Sequence, residues 1–568
     1  MRSWRVLLIM LIFAPPVRAQ VTFISPLPQG ILQVRGDHAD LRLKVKVIGF
    51  STFSFKLSSD IDTSSLQSGW TNVSVIRDTV DTLLTVPRNL RNYSIYWRTG
   101  QSATDTGGII PGLTPGHVIG IAGQSNAQGY TWSMIEGANG DIRMLRNDRG
   151  WEPAKEPTGN MAGGPWIVMS NMLYASIHDT LPIGIVNTAI GSTGLTESSV
   201  NGQWFRNPDD PEDSSLYGNA LRRFRHAGGE LECLCWIQGE ADAAFLPTPN
   251  MYRVAFSRLI YGLKQDLTDS IAVFHLQIGG TTLKSDASWP VVREAQRVLP
   301  PSTLVGTALG RSIGDGLHYT DATLWAVGRM FAEAILSQRY NISQTTLYPP
   351  LMPDTVLYVD SILDGSIRGR YCFSLQWNRA GSPTKIRMMQ PVQYFAIHKD
   401  GVMLDTSQIW QRISQSDSTR VQIGLINDSI TRGHDWRVTY DAVPTADRAP
   451  IATISASGDT IFGTAFYELP VKWPSGSNLG VKEFSIQLVV PNPTIGTLHC
   501  YILGYAQSAV TLVLHDNLGV EVRRQTAVIQ DGLQDISIPT DGLPSGNYWI
   551  MLTDEAGNST LQKAIILH

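Results

Sequence analysis

The chain has 568 residues, 43% of them hydrophobic and 17% charged, with a formal net charge of -4. That length calls for about three or four domains, the composition excludes a disordered chain, and the charge gives no reason to expect nucleic acid or an anionic membrane as partner. Cys233, Cys235, Cys372 and Cys500 lack the spacing of a zinc site or a C-x-x-C pair, so they are expected as small buried side chains rather than a disulfide framework.

Residues 1–19 read as a signal peptide. Arg2 and Arg5 precede the apolar run Val6 to Ala14, too short to span a bilayer, and Val17-Arg18-Ala19 offers a cleavage site. No later run is long enough for a transmembrane helix, so the mature protein is expected to be soluble or surface-attached. Residues 20–113 read as an N-terminal β-sandwich, because Leu41, Leu43, Val45 and Val47 alternate with Arg42, Lys44 and Lys46.

The pattern changes at Gly112-Leu113-Thr114-Pro115-Gly116. Over 114–340, apolar strands near Val118 to Ala122, Ile183 to Ala189, Leu231 to Ile237, Ile271 to Ile278 and Leu304 to Ala308 alternate with helical stripes. The stripes are Trp166, Met169, Leu173 and Ile177; Leu216, Ala220, Leu221 and Phe224; and Tyr252, Phe256, Leu259 and Leu263. Further helices are expected near Pro290 to Leu299 and Asp321 to Leu336. Alternation of this kind predicts a mainly parallel sheet covered on both faces, with ligands beyond the carboxyl ends of the strands. Residues 341–480 read as a β-sandwich-like domain and 481–568 as a separate β unit.

Four polar motifs close four of these strands. Gly123-Gln124-Ser125-Asn126 puts a hydroxyl at the sheet's ligand-binding edge, where backbone N–H groups can face an oxyanion; a serine capping a helix is the competing reading. Asp315-Gly316-Leu317-His318 can supply a base and the carboxylate that orients it, or be a plain surface turn. In Gln238-Gly239-Glu240-Ala241-Asp242 the amide can donate to an oxyanion. Its two carboxylates suggest a glycosidase pair or, more simply, loop-organising hydrogen bonds. Asn187 to Gly194 ends in glycines that admit close approach of a ligand, with the Gly191 N–H as a candidate oxyanion donor, or forms a tight turn. Together, in one α/β segment, the four supply nucleophile, base, orienter and oxyanion donors.

The G-Q-S-N, Q-G-E-x-D and D-G-x-H motifs, in this order over about residues 114–340, resemble those of the SGNH hydrolase superfamily. Within it they are similar to the sialate O-acetylesterase-like group and to carbohydrate esterase family 6. The resemblance implies a multidomain chain with a central three-layer α/β SGNH (flavodoxin-like) domain on a parallel sheet, flanked by all-β sandwich-like domains. It implies a secreted carbohydrate O-acetylesterase, with Ser125, Asp315 and His318 catalytic. Gln124, Asn126, Gly191, Gln238 and Glu240 are implied at the oxyanion and substrate site. No metal or organic cofactor is needed. The alternatives are an SGNH esterase acting on lipid or thioester, and a catalytically dead carbohydrate-binding protein. Val490-Pro491-Asn492-Pro493-Thr494, Leu543 to Tyr548 and Lys563-Ala564-Ile565 resemble the type A sorting domain of the type IX secretion system of Bacteroidetes. That implies the secretion machinery as a partner and passage across the outer membrane, with release or surface attachment. The esterase resemblance implies an O-acetylated glycan as substrate, and charge and hydropathy give no nucleic-acid partner and no membrane span.

Overall fold

The computed structural model describes residues 20–566 except 60–68, 89–91, 101–106, 131–134, 138–139, 147–149, 160–161, 178–180, 245, 247, 269, 283–287, 344–345, 360–370, 389–394, 427–429, 432, 441–450, 474–483, 491–493, 495, 505–507, 518, 531 and 555–558. The signal-peptide segment and Pro491 to Pro493 lie outside the described residues. The chain divides into two compact units. Met1–Gly116, Asn147–Trp151 and Arg225–Gly229 form the first, and His117–Arg146, Glu152–Phe224 and Glu230–His568 form the second.

The first unit is built of strands: β1 (Gln20–Ser25), β2 (Ile31–Arg35), β3 (His38–Ile48), β4 (Thr52–Ser59), β5 (Thr71–Ser74), β6 (Thr79–Pro87), β7 (Tyr93–Arg98) and the first part of β8 (Gly107–Gly123). In β3 the side chains of Leu41, Leu43, Val45 and Val47 are fully buried, while Arg42 reaches Asp81 of β6 on the wet face. This is the alternation a half-buried strand requires. Gly112 to Gly116, where the sequence pattern changes, lies within strand β8. Thr114, Pro115 and Gly116 pair in parallel with Ile31, Leu32 and Gln33, and this pairing outweighs the low intrinsic strand propensity of Gly and Pro.

The second unit starts from a parallel sheet in the order β9 (Ile142–Leu145), β11 (Ile183–Asn187), β8, β12 (Cys233–Ile237), β13 (Ala272–Gln277) and β14 (Thr303–Thr307); the short β10 (Trp151–Pro153) neighbours β9. Between the strands run α1 (Ser125–Gln128), α2 (Trp166–Ser176), α3 (Leu216–His226), α4 (Pro249–Asp266), α5 (Ser288–Arg297) and α6 (Asp321–Tyr340). Consecutive residues of β12 meet different helices. Cys235 lies against Met169 of α2, whereas the Trp236 indole points to Tyr252 of α4. Successive strand residues face opposite sides, so α2 and α4 cover opposite faces. Pro249 opens α4 at a position where its missing N–H costs nothing. Thr320 caps α6, and Asn341 closes it in a left-handed conformation.

Residues 352–472 add a nine-stranded sheet among the described residues. Its core is not separate from that of the parallel sheet. Ile335 of α6, Leu351, Trp377 and Phe466 belong to one buried apolar cluster. At the seam the Gln277 side chain donates to Ala465 O and accepts from Ala465 N, both at 2.9 Å. Arg329 of α6 forms a two-pronged ion pair with Asp459 at 2.8 and 3.0 Å. Residues 484–566 have their own core, including Leu498, Leu512, Ile550 and Ile566, between a three-stranded and a four-stranded sheet. All four cysteines are buried thiols. Among the described residues no helix is long and apolar enough to cross a membrane.

Candidate functional site

The four motifs meet at the carboxyl ends of β8, β11 and β12. Strand β8 ends at Gly123, whose φ is +133° and where a Cβ would lie 2.0 Å from Ile237 O of the neighbouring strand. Only glycine fits there. The chain then turns into α1 with Ser125 as its first residue, and Gln124 N just before it donates to Ile237 O at 2.9 Å. Trp166 Nε1 donates to Ala127 O at 2.6 Å and fixes the short helix from below.

The structure brings Ser125, His318 and Asp315 into one hydrogen-bonded line. His318 Nε2 is 2.9 Å from Ser125 Oγ, and His318 Nδ1 is 2.6 Å from Asp315 Oδ2. The other Asp315 oxygen accepts from the backbone N–H groups of His318 (2.8 Å) and Leu317 (3.1 Å). Partial burial pushes the Asp315 carboxyl upward. The His318 ring and those two N–H groups pull it further the other way, so it sits below the usual carboxylate range. The four-residue span of Asp315 to His318 thus orients the imidazole within a single turn.

The remaining expected site residues do different work. Asn126 is fully buried. Its Nδ2 donates to Glu240 Oε1 at 2.8 Å, and its Oδ1 accepts from Tyr319 N at 3.1 Å. It therefore straps the β12 loop to the loop that carries His318. Gln124 Oε1 accepts from Gly239 N and Ala241 N, both at 3.3 Å. Both residues join loops; these contacts do not place them against a substrate. Glu240 is buried with one oxygen on Asn126 and Tyr319, and its Oε2 has no hydrogen-bond partner among the described residues. Burial raises its pKa, against the opposing pull of Asn126.

One oxyanion expectation needs correction. Gln238 is fully buried, and its amide donates to Thr193 O (3.0 Å) and Asp242 Oδ2 (2.5 Å). Both its N–H groups are committed to structure and neither can serve a substrate. Asp242 in turn accepts from Leu195 N, Thr196 N and Thr196 Oγ1. The acidic pair of this motif organises its loops and does not form a glycosidase pair. The Gly191 N–H, the other candidate donor, faces the Gln128 side chain and donates to its Oε1 at 2.7 Å.

Two residues that sequence reasoning passed over stand at the site. One is Gln128, one helical turn after Ser125, a spacing that could have pointed to it. The other is Tyr130, whose ring lies on that of His318; no periodicity announces such a contact.

The fold and site define a multidomain, strand-rich protein with a hydrogen-bonded serine, histidine and aspartate at the carboxyl edge of a parallel sheet. Residues 115–337 match the family model described as carbohydrate esterase, sialic acid-specific acetylesterase. Residues 488–567 match that of a secretion system C-terminal sorting domain. A probable carbohydrate esterase of Arabidopsis thaliana is 29% identical over 272 residues, 41% of this chain and 98% of that one. The crystal structure of a carbohydrate acetylesterase from Xanthomonas citri shares the fold, with a TM-score of 0.57 at 16% identity over 79% of this chain and 99% of that one. An Arabidopsis thaliana crystal structure matches at 27% identity with a TM-score of 0.33, over 39% and 99% of the two chains.

Proposed function

We propose that this chain is an exported carbohydrate O-acetylesterase that works through an acetyl-enzyme on Ser125. The observation that carries the reading is the 2.9 Å contact between His318 Nε2 and Ser125 Oγ, backed by Asp315 on the far ring nitrogen. Imidazole is the base suited to a serine hydroxyl near neutral pH. His318 takes the Ser125 proton as Oγ attacks the acetyl carbonyl. The tetrahedral intermediate collapses, and the sugar oxygen leaves with that proton. Water, deprotonated by the same ring, then attacks the acetyl ester and releases acetate and free Ser125. Asp315 holds the Nδ1–H tautomer and stabilises the imidazolium; it keeps its own charge throughout.

For the oxyanion, the backbone N–H groups of Ser125 and Gly191 are the proposed donors. Gln128 Oε1 sits where the substrate oxygen would accept from Gly191, so the acyl carbonyl replaces the Gln128 amide there. We assign the parallel-sheet region to a three-layer SGNH (flavodoxin-like) domain. We assign residues 488–567 a role in export by the type IX machinery, on their match to the sorting-domain model. The substrate class, an acetylated glycan, rests on the match of residues 115–337.

The test is acetate release from p-nitrophenyl acetate and from O-acetylated saccharides, sialic acids included. Wild type should release acetate, and Ser125→Ala, folded by circular dichroism, should not. Undiminished turnover by Ser125→Ala would end the assignment of the nucleophile.

A further inference from the structure

Tyr130 follows α1 and is turned back over the site. Gly129 makes this turn at φ +112°, where a Cβ would stand 2.2 Å from Ala162 O. The phenol ring then lies face-on upon the His318 imidazole, with centroids 3.5 Å apart and planes 16° from parallel. Tyr130 remains 37% exposed, so it forms the outer cover of the ring that holds Ser125.

Near-complete face-to-face overlap is the arrangement that two neutral aromatic rings avoid, because their like quadrupoles repel; neutral pairs slide apart or tilt to a T. The same arrangement becomes favourable when one ring carries a positive charge, since the negative face of the phenol then attracts it. We infer that Tyr130 is a positioning residue that stabilises the imidazolium of His318, the state formed when the ring accepts the Ser125 proton. The phenol covers one face of the imidazole, whose two nitrogens keep Ser125 and Asp315 as partners. This inference rests on the esterase reading above and adds the residue that supports the charge its base acquires on taking that proton.

Among the described residues, the titratable groups that act on His318 are Asp315 on Nδ1 and Glu240, whose buried carboxyl feels the ring electrostatically from the β12 loop. Both are retained in the variants that follow, so any change in pH dependence belongs to the ring at position 130.

The experiment is steady-state hydrolysis of p-nitrophenyl acetate by the full chain as a function of pH. Tyr130→Leu keeps the bulk but loses the π face. Its kcat should fall about three- to tenfold, with KM changed less than twofold. The acidic limb of its kcat/KM profile should move to lower pH, because the protonated form of the base has lost its support. Tyr130→Phe keeps the face and should restore most of the rate. If Tyr130→Leu matches wild type, or if Tyr130→Phe falls as far as Tyr130→Leu, or if the acidic limb stays in place, the inference is overturned while the esterase stands. An inert wild type would instead overturn the esterase reading, and this inference with it.

Discussion

The Gly191 N–H donates a 2.7 Å hydrogen bond to the side-chain oxygen of Gln128. A Cβ added at Gly191 would lie 3.1 Å from that oxygen and 3.4 Å from Ser125 Cβ. An amide carbonyl therefore stands beside the proposed nucleophile, on a backbone donor, much as a bound ester carbonyl would. The protein keeps a candidate oxyanion donor satisfied in a site from which water is partly excluded, where an orphaned N–H would be costly.

A substrate must compete with this internal carbonyl. Truncating it in Gln128→Ala should free the Gly191 N–H and raise kcat/KM for p-nitrophenyl acetate a few-fold, since one exchanged hydrogen bond is worth about 1 kcal/mol net. Initial-rate kinetics would check this. A large fall in kcat/KM with an unchanged melting temperature would mean that Gln128 takes part in catalysis rather than blocking a donor.

Asp315 accepts from the His318 ring and from two backbone N–H groups, which hold its carboxyl below the usual range. Asp315→Asn removes the charge and allows the amide to present a donor to Nδ1, favouring the wrong tautomer. We expect kcat to fall roughly 10²–10⁴-fold with KM little changed. A fall of less than about fivefold would show that the carboxylate is not needed to orient the ring.

Much of this site could be read from residue order, and the limits of that reading are physical. Strand-end placement of Ser125, Gly191 and Gln238 follows from apolar runs that stop at polar motifs, and the parallel pairing of β8 with β11 and β12 brings those ends together. What a side chain points at does not follow from its position. Gln238 and Gln128 are both amides near the same strand ends. The first is sealed inside by Thr193 and Asp242, and the second reaches Gly191. The core shared between the parallel sheet and residues 352–472 was equally invisible. It is spread over apolar residues far apart in the chain, with Gln277 pairing the backbone of Ala465 at the seam.

Asp242 is fully buried and accepts four hydrogen bonds, from Leu195 N, Thr196 N, Thr196 Oγ1 and Gln238 Nε2. Asp242→Ala would leave those donors unpaired and release the loop that carries Gly191. We expect a loss of about 3 kcal/mol or more in unfolding free energy, together with a loss of activity. Asp242→Asn, which retains acceptor capacity, should cost less. Urea denaturation followed by tryptophan fluorescence would measure both. An Asp242→Ala protein as stable as wild type would refute the role given to this carboxylate.

Two buried groups set opposing pH slopes on stability. His275, fully buried between Gln296 O and Ser302 Oγ, is pushed down to about 4 by burial, against the pull of its backbone hydrogen bonds. Between pH 4 and 6.5 the unfolded chain binds a proton there that the folded chain refuses, so stability falls as pH falls through this window. Glu156 is pushed up to about 7, again chiefly by burial, and its Oε1 has no hydrogen-bond partner among the described residues. Between pH 4.5 and 7 the folded chain keeps a proton that the unfolded chain releases, so stability falls as pH rises. Each contribution is on the order of 3 kcal/mol, and from pH 4.5 to 6.5 they nearly cancel. Replacing one group should uncover the other. In Glu156→Gln the melting temperature should climb with pH across that window, and in His275→Gln it should decline. Identical slopes in the two variants, measured by differential scanning calorimetry, would mean that neither group is buried in the charge state inferred from its surroundings.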